Sequence, residues 1–124
     1  MFNITKICVD EKGNSFFRDA LVPLNQKGLI GSLSETFPSQ GLVFRIVEPD
    51  YDWDFHHAPQ KQFICLLDGE IEIETSNGEK RRFIPGDILL AEDTWGKGHC
   101  SRNITPVARR SLFIFLPEDY TFPY

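Results

Sequence analysis

The sequence predicts an all-β domain, a sandwich or barrel of short strands with little helix. No segment keeps a helical apolar period over about three turns. Short apolar or alternating runs recur instead, divided by turn signals at intervals of about 8–12 residues. Phenylalanine is abundant at eleven residues, and large aromatic side chains favour sheet packing.

Taken in order, Phe2 to Val9 alternates well enough for a strand, and Asp10-Glu11-Lys12-Gly13-Asn14 has turn chemistry. Ser15 to Leu24 is a second extended segment, with Phe17, Ala20 and Val22 apolar and Pro23 near its end. Gly28 to Phe37 is a weaker strand interrupted by Gly31, and Gly41 to Glu48 is a strong one ended by Pro49. Tyr51 to Pro59 reads as a loop of aromatic and charged residues. Gln62 to Leu67 is an apolar strand, followed by a hairpin signal at Asp68-Gly69. Glu70 to Thr75 alternates throughout, with Glu70, Glu72 and Glu74 to water and Ile71 and Ile73 inward. Ser76-Asn77-Gly78 carries the Asn-Gly pair favoured in primed hairpin turns, and Lys80 to Ile84 returns. Pro85-Gly86-Asp87 makes a corner before the β-leaning run Ile88 to Ala91. A polar loop around Trp95 and Gly96 leads to a short strand, Gly98 to Asn103. Ser111 to Leu116 is the last strong strand, and the tail from Pro117 to Tyr124 is irregular, either mobile or covering an edge.

The length of 124 residues predicts one domain, 1–124, able to fold without disulfides. A net charge of -5 and a pI of about 5.1 argue against nucleic acid or an anionic membrane as partner. The basic clusters Lys80-Arg81-Arg82 and Arg109-Arg110 read as solvated strand ends. Three cysteines with no CxxC spacing fit neither a disulfide framework nor a zinc ribbon. Cys65 reads as a small buried hydrophobe. Cys100, beside His99, is the one thiol placed for chemistry, although no second partner is identifiable. The N-terminal stretch has no signal-peptide h-region, and no apolar run approaches the ~18 residues of a membrane span. A cytoplasmic location is expected, which makes the sequons at Asn3 and Asn103 chance matches.

The stretch Asp54 to Asn103 holds all three histidines, His56, His57 and His99. It also carries Gly69, Pro85-Gly86-Asp87 and Asn103 in fixed order. In this it resembles the cupin superfamily, and within it the small single-domain cupins. Gly69 matches the closing glycine of the first cupin motif. Pro85-Gly86-Asp87, His99 and Asn103 match the corner, histidine and asparagine of the second. The resemblance implies a double-stranded β-helix, the jelly-roll barrel, with a core about 41–116 and N-terminal strands within 2–37 completing the sheets. It also implies a homodimer in which N-terminal strands pair across subunits. The departures are specific. His56 and His57 are adjacent where the family separates its histidines, so only one faces inward unless the backbone bulges. Gln62 stands where the family usually has glutamate, and the second motif carries extra residues before His99.

Through that resemblance His56, His57, Gln62 and His99 are candidate ligands for a divalent metal such as zinc, iron, nickel or manganese. With no carboxylate, such a site would hold metal weakly. Without metal, the histidines serve as hydrogen-bonded mouth residues and Gln62 as a satisfied buried amide. Arg45, Phe55, Glu92 and Trp95 are candidate ligand-pocket residues, with Trp53 flanking them. An inward Arg45 requires a partner, either Glu92 or Asp93, or else it clamps a substrate carboxylate or phosphate. An outward Arg45 simply meets solvent. Three functions remain open: a small-molecule-binding cupin with a weak metal site, a metal-free sensor or binding module, and a metal-independent sugar-type isomerase or epimerase using His57 or His99 as base. No catalytic residue is assigned.

Overall fold

A computed structural model describes all 124 residues. It contains twelve strands and no helix, so the fold is all-β, and no helix is long and apolar enough to cross a membrane. The strands are β1 (Phe2–Val9), β2 (Ser15–Val22), β3 (Gln26–Gly28), β4 (Gly31–Leu33), β5 (Gly41–Val47) and β6 (Asp52–His56). They continue with β7 (Gln62–Leu66), β8 (Ile71–Thr75), β9 (Lys80–Phe83), β10 (Ile88–Ala91), β11 (His99–Asn103) and β12 (Arg109–Phe115). A six-stranded sheet has the order β2-β1-β10-β7-β12-β5, a four-stranded sheet has β6-β11-β8-β9, and β3-β4 form a separate ribbon. From β5 onward the chain crosses between the two large sheets at nearly every connection, only β8-β9 staying in one sheet. Neither sheet closes on itself.

Strand alternation explains two separate cores. Ile7, Phe17, Leu66 and Leu89 of the large sheet meet Ile71, Ile73 and Phe83 of the small one, forming the core between the sheets. Positions of opposite parity, Ile4, Ala20, Val22 and Leu90, form a second core on the outer face with Leu116 and Phe122. The tail therefore covers a sheet face. Phe122 packs edge-on against Phe63 at 5.4 Å and tilted against Phe37 at 4.8 Å. Lys6, itself buried, donates from Nζ to the main-chain oxygen of Tyr124 at 2.8 Å.

Several expectations are corrected. Asp68-Gly69 is no hairpin: β7 and β8 lie in different sheets, so it is a corner between them. Tyr51 to Pro59 contains a strand, β6, whose charged and aromatic side chains are mostly exposed at a sheet edge. The β8-β9 turn is a hairpin, but not of the primed type. Only Gly78 has positive φ, 94°, and Gly78 N–H donates to Thr75 C=O at 2.9 Å. That is a type I turn followed by a glycine bulge. The Gly28–Phe37 strand is instead the β3-β4 ribbon, turning at Leu29-Ile30. Finally, Arg109 is not a solvated strand end: β12 starts there, and Arg109 is 1% exposed while Arg110 points out to Asp68.

Candidate functional site

Beyond the apolar core, the space between the sheets holds a cavity of about 60 Å³. Its polar wall comprises Arg45, Tyr51, His56, Gln62, His99, Ser101 and Arg109. Ile64, Leu66, Ile71, Ile73, Leu89 and Phe113 supply apolar lining. A wider surface depression of about 620 Å³, around Gln40, Lys61 and Glu118, carries no histidine or arginine.

At one end are the imidazoles. β6 pairs with β11 so that His56 faces His99, but Trp53 faces Ser101, leaving one extra residue in β6. This bulge sets the orientation of His56, which lines the cavity. His57 does not line it, and its Nδ1 lies 3.1 Å from the carbonyl of Ala58. Gly98, just before β11, has φ +72°, and a Cβ there would stand 2.0 Å from the His56 carbonyl oxygen. Only glycine lets the two backbones approach this closely.

The hydrogen bonds settle the tautomers. His56 Nδ1 is 2.9 Å from the Asp54 carbonyl, which can only accept. Its Nδ1 therefore carries the proton and Nε2 keeps a lone pair. Burial lowers the His56 pKa below the ordinary imidazole value, with His99 and His57 adding to the effect and Asp54 and Asp93 opposing it. His99 Nδ1 is 2.6 Å from Asp93 Oδ2, and both residues are buried. The rings of His56 and His99 have centroids 4.9 Å apart. Gln62 is buried with them, and its Oε1 has no hydrogen-bond partner. Asp93 Oδ1 is likewise unpartnered.

At the other end are two guanidiniums. Arg109 Nε donates to Asn103 Oδ1 at 2.9 Å, and Asn103 Nδ2 donates to the carbonyls of Glu48 and Pro49 at 3.0 and 3.2 Å. Arg109 Nη1 is buried and unpartnered. Arg45 Nε donates to Ser111 Oγ at 3.0 Å, and its Cζ lies 4.5 Å from the Phe113 ring centroid. Both guanidiniums flank Tyr51, with Cζ 5.6 and 5.5 Å from its ring centroid. The Tyr51 hydroxyl is 3.2 Å from Ser101 Oγ. No carboxylate lies within 4.0 Å of either guanidinium, because every ion pair of the protein is elsewhere. Burial first, and then the charge of Arg45, bring the Arg109 pKa down to about 10.

Neither expected partner of Arg45 reaches it. Glu92 turns to Lys6 Nζ at 2.9 Å, and Asp93 holds His99. Phe55 and Trp95 are largely exposed and stand outside the cavity lining. Phe55 follows the parity opposite to His56, and the Trp95 ring lies against the turn at Gly13. Trp53 touches the site only edge-on, with its ring 5.7 Å from that of His56. The Cys100 thiol is pushed up in pKa by burial and then by Glu74, so it is not prepared as a thiolate.

His56, Gln62 and His99 thus share one cavity, and His57 does not. No group of three or more His, Cys, Asp or Glu side chains gathers to hold a metal. A cation here would meet neutral donors only: two imidazole Nε2 atoms and the orphaned amide oxygen. Sequence reasoning missed Asp93 as the partner of His99, placed Arg109 at a solvated strand end, and did not single out Tyr51 or Ser101. The available signal for Arg109 was its shared parity with Ser111 and Phe113 on one strand.

No protein-family model matches the chain. Over 79 residues it is 33% identical to the Oryzines biosynthesis cluster protein J of Aspergillus oryzae, covering 61% of this chain and 42% of that protein. The chain thus spans less than half the length of this curated relative. Among solved structures, it is similar to the crystal structure of protein NMB1881 from Neisseria meningitidis. That likeness has 16% identity, covers 67% of this chain and 81% of the other, and has a TM-score of 0.44.

Proposed function

We propose that the chain is a small cupin-type jelly-roll protein that binds a small molecule in the cavity between its sheets. The cupin reading is supported by the order of Gly69, Pro85-Gly86-Asp87, His99 and Asn103, and by the repeated crossing of β5 to β12 between two sheets. The observation that carries the binding reading is Gln62 Oε1. It is a buried acceptor without a partner, on a wall shared with the imidazoles of His56 and His99. An unsatisfied buried polar atom costs ~1–3 kcal/mol, a cost that a bound donor would offset. Native mass spectrometry of the protein as isolated, beside Gln62→Leu, tests this. A bound mass in the wild type that is lost in Gln62→Leu supports the reading. Equal behaviour of the two proteins sinks it.

A weak divalent metal is the second reading, with His56, Gln62 and His99 as ligands. The contact from Asp93 to His99 favours it, because a carboxylate on Nδ1 orients an imidazole for ligation through Nε2. The residues fit such an ion, at low affinity, and bound there it would polarise an oxygen of the ligand. Elemental analysis after reconstitution with zinc, iron, nickel or manganese decides the matter. Far less than stoichiometric metal leaves a metal-free binding module. A metal-independent isomerase would use His99, backed by Asp93, as its base, since His57 lies outside the cavity. Its test is incorporation of solvent deuterium into sugar-type substrates.

A homodimer fits the outer face of the large sheet. Leu42, Phe44 and Ile46 of edge strand β5 are exposed there, Phe44 by 78%. The β3-β4 ribbon presents Leu29 and Ile30 uncovered at its tip. Large exposed apolar areas of this kind mark association surfaces. Sedimentation equilibrium of the wild type against Phe44→Lys checks it, and a wild-type monomer at micromolar concentration refutes it.

A further inference from the structure

We propose that Arg45 and Arg109 form a receptor for the carboxylate of a short organic acid, whose other end faces His56, Gln62 and His99. This rests on the reading of the cavity as a ligand site, and it names the class of ligand.

The starting point is a charge without a counter-charge. Arg109 is 1% exposed, yet no carboxylate approaches its guanidinium. Buried cations are normally paired, because an isolated one is costly to remove from water. Here a second guanidinium, Arg45, lines the same cavity and raises that cost further. Two like charges converge on a small enclosed space, and one of them keeps an unused donor, Nη1.

The arrangement is also prepared in advance. Asn103 grips Arg109 Nε and is itself held by two main-chain carbonyls, so one edge of the guanidinium is committed while Nη1 remains free. Ser111 grips Arg45 Nε in the same way. The Tyr51 ring lies beside both planes, and the Tyr51 and Ser101 hydroxyls add polar groups to the lining. Guanidinium donors on fixed side chains match the planar oxygens of a carboxylate.

Size selects within the anions. The cavity of about 60 Å³ is roughly twice the ~30 Å³ that a water molecule occupies in the liquid. That admits an anion of a few heavy atoms, such as a carboxylate head with a short carbon chain, and it disfavours a ring such as that of benzoate. The aliphatic lining from Ile64, Leu66, Ile71, Ile73 and Leu89 suits carbon better than a second phosphate.

The test is calorimetric titration of the full chain with acetate, oxalate, malonate, benzoate and inorganic phosphate at constant ionic strength. The short acids should bind, with benzoate and phosphate weaker. Arg109→Met should lose at least about tenfold in affinity, and Arg45→Met less. Arg109→Lys, which keeps the charge but not the fork, should also be weaker. Circular dichroism melts establish that each variant is folded, and Arg45→Met reads the same site if Arg109→Met is not. Phosphate binding more tightly than every carboxylate overturns the assignment of the ligand class. Unchanged affinity in both arginine variants, or no binding of any acid at millimolar concentration, overturns the receptor. Gln62→Leu separates this from the parent reading. Acid binding that is lost in the arginine variants but unaffected by Gln62→Leu keeps the receptor and removes the histidine end from the site. A ligand lost only in Gln62→Leu does the reverse.

Discussion

The two ends of the cavity are built on opposite principles. At the histidine end, polar groups are tied to the backbone. His56 leans on the Asp54 carbonyl, Gly98 abuts the His56 carbonyl, and Asp93, which holds His99, accepts at its C=O from Ala58 N–H at 2.9 Å. At the arginine end the guanidiniums are held by other side chains, Asn103 and Ser111, and Asn103 is anchored in turn by the carbonyls of Glu48 and Pro49. The first end offers an unpartnered amide oxygen beside two imidazoles, and the second offers positive donors. A molecule spanning both would therefore have a direction. The contrast also implies different tolerance: the histidine end should break when the backbone is disturbed, whereas the arginine end should tolerate loss of its buried charge.

The largest effect should come from Gly98→Ala. Its Cβ has no room against the His56 carbonyl, and its φ of +72° is unfavourable for alanine. We expect a loss of about 4 kcal/mol or more in urea denaturation, or failure to fold. A loss below about 1 kcal/mol would show that the two backbones separate easily. Next is Asp93→Ala, which strands the His99 Nδ1 proton in a buried site. A loss of about 2–3 kcal/mol is expected, with the His99 ring resonances shifted in NMR spectra. At the arginine end the sign reverses. Arg109→Met removes an uncompensated buried charge, and the ligand-free protein should be unchanged or up to about 2 kcal/mol more stable by the same denaturation assay. A clear destabilisation would mean that Arg109 is satisfied by contacts within the fold, and the contrast between the ends would fail.

The smallest effect is in pH dependence. The folded protein holds His56 below its ordinary pKa, so the unfolded chain takes up a proton first as pH falls. Stability is complete above about pH 6.5 and is lost downward from there until the folded value is passed. The melting temperature should drop between about pH 7 and 5, and His56→Gln should flatten that drop. An identical slope in the variant would assign the effect to other groups.

The strands were legible wherever one face was buried and the other wet. Glu70 to Thr75 is the clearest example, with Ile71 and Ile73 buried in β8 as its alternation requires. β6 was not legible, because an exposed edge strand can carry Trp53, Asp54 and Phe55 without any alternation of burial. Asp68-Gly69 had the chemistry of a hairpin, but turn residues do not reveal whether the next strand joins the same sheet. At the site, Gln62 and His99 could be picked out by motif, and the adjacency of His56 and His57 already meant that one would face away. The bulge in β6 that selects His56 depends on its pairing with β11, which no local pattern displays. Arg109 was hidden by its neighbour: Arg109-Arg110 looks like a surface cluster, yet alternation sends one side chain to the cavity and the other to Asp68.

Lys6 links features that otherwise seem unrelated. Its buried ammonium contacts the main-chain oxygen of Tyr124 on one side and Glu92 on the other. Glu92 directly precedes Asp93, which holds His99. Within four side chains, the plug on the outer face of the sheet is connected to the imidazole on its inner face. Lifting Phe122 to Tyr124 off the sheet would leave Lys6 with one partner instead of two. The end of the tail and the carboxylate next to Asp93 thus share one buried cation, Lys6.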